Sequence, residues 1–122
     1  MKYALLIYSP AGAREYETPR PETEANIASY VGALRDAGAL VAAEQLTHTD
    51  TATSVRIRGE DRLLTDGPFL ETKEHLLGFV LIDVPDLDAA LEWAARMPAA
   101  TIGTIEVRAV KTSQPWHAML GW

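Results

Sequence analysis

The stretch Leu63-Leu64-Thr65-Asp66-Gly67-Pro68-Phe69-Leu70-Glu71-Thr72-Lys73-Glu74 decides how this chain is read. An apolar strand runs into Asp-Gly-Pro-Phe, and a polar Glu/Thr/Lys/Glu segment precedes the next apolar run. Asp and Gly tolerate tight or left-handed backbone, and Pro fixes φ while removing a donor. The pattern predicts a strand that stops at Asp66, with its carboxylate at the open end where a ligand can meet it.

On the N-terminal side, Val55 and Ile57 alternate with Ser54, Arg56 and Arg58, and Gly59-Glu60-Asp61 is a hairpin turn into Arg62 to Thr65. On the other side, Gly78 to Val84 is a strand apolar on both faces. Pro85 stops it, Asp86 is an N-cap, and Leu87, Ala90, Leu91, Ala94 and Met97 form a helical stripe ended by Pro98. Thr104 to Val110 closes the pattern as a last strand.

The chain opens with Tyr3 to Tyr8, apolar on both alternating faces as in a central, doubly covered strand. Ser9 to Pro21, with Pro10, Pro19 and Pro21, reads as a loop. A helix begins near Glu22, carrying Ile27, Tyr30, Val31 and Leu34 at helical spacing, and Gly38 stands at C′. Ala39 to Glu44 is extended.

Strand, helix, two or three strands, helix, strand is an α+β order. It matches the ferredoxin-like β-α-β-β-α-β plan, an antiparallel sheet with both helices on one face. Residues 1–122 form a single domain, and 111–122 are an apolar tail with Trp116, His117, Met119, Leu120 and Trp122. Helices can cover only one side of a sheet whose two faces are both apolar. The second side is expected to be covered by another subunit or by the tail, and a homodimer is the economical answer.

The 122 residues are 48% hydrophobic and 23% charged, a globular balance. A net charge of −6 excludes a nucleic-acid backbone as partner, and the scattered Lys and Arg exclude an anionic membrane surface. Cysteine is absent, which removes disulfides, thiolate metal sites and cysteine nucleophiles. The apolar N-terminus ends at Tyr8 with no convincing cleavage site, so a cytoplasmic protein is expected.

Asp66-Gly67-Pro68-Phe69 with Glu71-Thr72-Lys73-Glu74, then Gly78-Phe79, then Asp83-Val84-Pro85-Asp86-Leu87-Asp88-Ala89-Ala90-Leu91-Glu92-Trp93-Ala94, resembles the YCII-related proteins of the DGPF type. Met1-Lys2-Tyr3 and Ile105 to Val110 resemble that family's first and last strands, so the likeness runs to about Val110. It implies a dimeric, ferredoxin-like α/β-barrel fold. Many bacterial members of the family are encoded beside alternative sigma factors, which implies a tie to transcriptional control. Muconolactone dehalogenase-like relatives use a His and Asp pair beside the sheet. Asp66 occupies the motif aspartate, whereas Glu22 to Ala37 contains no histidine to complete that pair.

A small-molecule-binding protein follows, with Asp66 as general base or ligand anchor in an acid–base enzyme. The alternative is a non-catalytic ligand-binding or regulatory partner module, with Asp66 accepting backbone N–H groups in its turn. Phe69, Thr72 and Lys73 are expected at the pocket mouth, Lys73 supplying positive charge. His75 is a candidate proton carrier in place of the missing helix histidine, and Tyr8 a candidate hydroxyl. His48, His75 and His117 lack metal-ligand spacing, so neither a metal nor a cofactor is expected.

Overall fold

The computed structural model describes residues 1–10, 21–68, 73–113 and 115–121, with the side chains of residues 21–24 left aside. The element order is β1 (Lys2–Pro10), α1 (Pro21–Asp36), β2 (Leu40–Gln45), β3 (Thr53–Arg58), β4 (Asp61–Asp66), β5 (Glu74–Asp83), α2 (Leu87–Ala95), β6 (Thr104–Ala109) and a short α3 (Trp116–Met119). Short 3₁₀ turns at Thr49–Thr51 and Pro98–Thr101 follow β2 and α2.

Four strands form an antiparallel sheet in the order β2-β5-β1-β6. With β3 and β4 set aside, this is the ferredoxin-like arrangement. Four strands lie between the helices, rather than two or three. The extra pair, β3 and β4, makes a separate two-stranded ribbon in which Thr53 faces Asp66 and Val55 faces Leu64. Three alternating apolar side chains suffice to specify a strand but not the sheet it joins, which depends on what the strand packs against.

The core lies on the helix face of the sheet. Tyr3 and Leu5 of β1 and Val80 and Ile82 of β5 are buried against Tyr30 and Leu34 of α1 and Ala90 and Ala94 of α2. Leu5, Leu34 and Ile82 are fully buried, each contributing about 2 kcal/mol by transfer of apolar surface from water. On the opposite face Ala4, Leu6, Tyr8, Phe79 and Leu81 remain partly exposed.

Local chemistry sets the helix ends. Pro21 starts α1, where its missing N–H would be unpaired in any case. At the other end Gly38 N–H donates to Arg35 O and Ala39 N–H to Leu34 O, the paired bonds of a Schellman motif. Asp86 caps α2, its Oδ1 accepting Ala89 N–H at 2.9 Å.

The described apolar residues of the tail do not pack on the chain's own body. Trp116 is 85% exposed, and Met119 and Leu120 are exposed as well.

Candidate functional site

A cavity of about 210 Å³ opens between α1, the sheet and the 98–101 turn. Ile7, Val80, Val31, Tyr30 and Met97 make apolar walls, and Glu44 and Gln45 bring polar groups from the end of β2.

The cavity lies at one end of the sheet, beside an irregularity in the β1–β5 ladder. Register slips between Ile7 and Tyr8, so β5 spends one residue more than β1 there. Gly78 sits at this irregularity, and a Cβ built on it would lie 2.5 Å from the Glu44 carbonyl oxygen. Only a residue without Cβ lets β2 approach β5 so closely. Tyr30 bounds the cavity and donates its hydroxyl to Trp93 O at 2.7 Å. Burial pushes its phenol up to about 12, against the opposing pull of the Arg96 guanidinium.

Asp66 stands elsewhere. It ends β4 on the ribbon, exposed, and does not line the cavity. The turn after it is braced by other groups. Gly67, at φ 96 where a side chain would be strained, donates its N–H to Ala52 O, and the Ser54 hydroxyl donates to Gly67 O at 2.9 Å. Among the described residues no hydrogen bond to the Asp66 carboxylate occurs. Phe69 and Thr72 lie outside the described residues. Lys73 is exposed just before β5, and Tyr8 lies on the outer face of β1, across from Leu76 and Thr104.

His75 has company that its position in the chain does not announce. Its Nδ1 is 2.9 Å from the Thr49 hydroxyl oxygen, and its ring meets that of His48 edge-on at 5.9 Å. His48 Nδ1 lies 2.8 Å from Asp50 Oδ1 and 3.2 Å from the Asp50 N–H. One nitrogen cannot donate to the carboxylate and accept from the amide together. The two contacts therefore belong to different tautomers of the His48 ring.

His48 was not among the expected site residues. Twenty-seven positions separate it from His75, and only the pairing of β2 with β5 brings them together. The cavity walls were equally hidden, because Ile27, Val31 and Met97 read as ordinary core positions of their helical stripes. Among the described residues no three His, Cys, Asp or Glu side chains gather as a metal-binding group.

Fold and cavity define a small α+β protein of ferredoxin-like topology. The chain matches the YCII-related domain family over residues 1–116 and belongs to it. It is also similar to an uncharacterized protein of Rhizobium meliloti (strain 1021), 35% identical over 94% of this chain and 96% of the relative. No helix among the described residues is long and apolar enough to cross a membrane.

Proposed function

We propose that this protein is a cytoplasmic homodimer that binds a small, largely apolar molecule about the size of one aromatic ring. The observation that carries this is the cavity itself, about 210 Å³ and walled by Ile7, Val31, Tyr30, Val80 and Met97. An apolar cavity of about 150 Å³ in a protein interior stays dry and takes benzene. Supporting the dimer, the outer sheet face carries Leu6, Phe79 and Leu81, while Val55, Ile57 and Leu64 on the ribbon are 58–59% exposed.

In the enzymatic reading Asp66 is the acid–base or anchoring carboxylate of the motif. Since it stands on the ribbon, it would reach a ligand only where the ribbon meets another surface. A second reading draws on the same ribbon. Its apolar side chains and terminal carboxylate suit a regulatory module that docks on a partner protein without catalysis.

Titration with toluene tests the cavity. Wild type should bind it and gain thermal stability by mass action, whereas Ala43→Leu, which fills the wall, should not. Equal behaviour of the two proteins would remove the cavity as a binding site.

A further inference from the structure

We infer that the Gln45 carboxamide is the specificity-determining group of the cavity, whose ligand is a neutral ring-sized compound with one substituent that both donates and accepts hydrogen bonds, of the aromatic carboxamide class. This rests on the cavity reading above and narrows the ligand that it takes.

Register decides which lining side chains can reach a ligand. Gln45 pairs with Gly78, and Gly78 with Ile7, in one row across β2, β5 and β1. Two positions further along β5, the row is Ala43, Val80 and Leu5. Residues paired across an antiparallel ladder project to one face, and alternate residues of a strand share it. Val80 and Leu5 are buried in the core on the helix side. Gln45 and Ile7 therefore project to that side as well, into the cavity that they line. Glu44 belongs to the row between, with Phe79 and Leu6 on the outer face. Its main chain borders the cavity, and its carboxylate is directed away.

One side chain is left to read a polar substituent. Tyr30, Glu44 and Gln45 carry the polar side chains among the described lining residues. The Tyr30 hydroxyl already donates to Trp93 O, and Glu44 faces outward. Gln45 is exposed, so its amide stands where the cavity opens to water. A primary amide carries both donors and acceptors. It can meet a ligand amide by paired N–H···O bonds and keep further bonds of its own.

Size and charge narrow the class. Gly78, between Gln45 and Ile7, puts no side chain on the floor of the cavity, which leaves room for a flat ring. The volume of about 210 Å³ exceeds the about 150 Å³ that holds benzene, enough for a substituent of a few atoms. No Lys or Arg lines the cavity among the described residues. A carboxylate on the ring would lose hydration there without a counter-charge.

Benzamide, benzoate and toluene share the ring and make the test, by titration of wild type and Gln45→Met followed by NMR. Met keeps the length of the side chain and lacks the amide. The ratio of benzamide to toluene affinity should fall about fivefold in Gln45→Met, the worth of one hydrogen bond. Benzoate should bind wild type about tenfold more weakly than benzamide. The Gln45 side-chain NH₂ resonances should move further with benzamide than with toluene. An unchanged ratio, benzoate binding as tightly as benzamide, or Gln45 resonances indifferent to benzamide overturns the inference, and toluene binding by wild type then leaves the cavity reading intact. If neither toluene nor benzamide binds wild type, the cavity reading fails and this inference with it.

Discussion

The Tyr30 hydroxyl donates to the Trp93 main-chain carbonyl at 2.7 Å, and the two rings meet edge-on with centroids 6.1 Å apart. Sixty-three residues separate the partners, so this one bond ties α1 to α2 across the core. The Arg96 guanidinium, 4.3 Å above the Trp93 ring, closes the outer side of the clasp. The clasp spans the two helices beside the cavity, and Tyr30 serves both.

Tyr30→Phe removes the bond and leaves the ring. Stability should fall by about 1 kcal/mol, the usual net worth of a buried hydrogen bond. The phenol of the folded chain stays neutral to about pH 12, against 10 ordinarily. Its contribution is therefore fully present below pH 10 and is lost as pH rises through 12. Denaturation midpoints measured from pH 9 to 12 should decline more steeply for wild type than for the variant. Parallel declines would show that Tyr30 titrates as it does in the unfolded chain.

Gly78→Ala puts a methyl group into backbone, since the obstructing atom is the Glu44 carbonyl oxygen at 2.5 Å. β2 must move away from β5, at a cost of about 2 kcal/mol. Urea denaturation measures this, and a variant as stable as wild type would mean that β2 shifts without penalty.

Asp66→Asn should change stability by less than about 0.5 kcal/mol, as expected of an exposed side chain away from any structural feature. Ser54→Ala, by contrast, deletes the hydroxyl that holds Gly67 O and should cost about 1 kcal/mol. If the Asn variant proves the less stable of the two, the carboxylate braces its own turn and loses its place as a ligand contact.

Light scattering at micromolar concentration should report twice the 13.3 kDa chain mass. Leu6→Glu, on the outer sheet face, should shift the mass toward that of one chain. A wild-type monomer would show that the outer face and the exposed tail stay in water.

Deleting residues 115–122 should leave intrachain packing alone, because Trp116, Met119 and Leu120 touch water in the single chain. Weaker dimerisation of the truncated protein would assign those side chains to the partner. Unchanged melting and unchanged mass would leave them without a structural role.

Residues near one another in the chain carried much of this protein's architecture. Alternation in Val55 and Ile57, the Asp86 cap and Gly38 at C′ each depend on local backbone preference and on which face is apolar, and each is legible one segment at a time. The ferredoxin-like order follows from stringing them together. Tertiary structure alone decided the rest. Whether β3 and β4 join the main sheet depends on contacts their alternation does not encode, and they form a ribbon apart. The cavity arises where the β1–β5 register slips and Gly78 admits β2. His48 and His75 become neighbours only through the β2–β5 pairing, across 27 residues. Hydrogen bonds between side chains distant in sequence have no period to betray them, so a site built from them emerges only when the sheet closes.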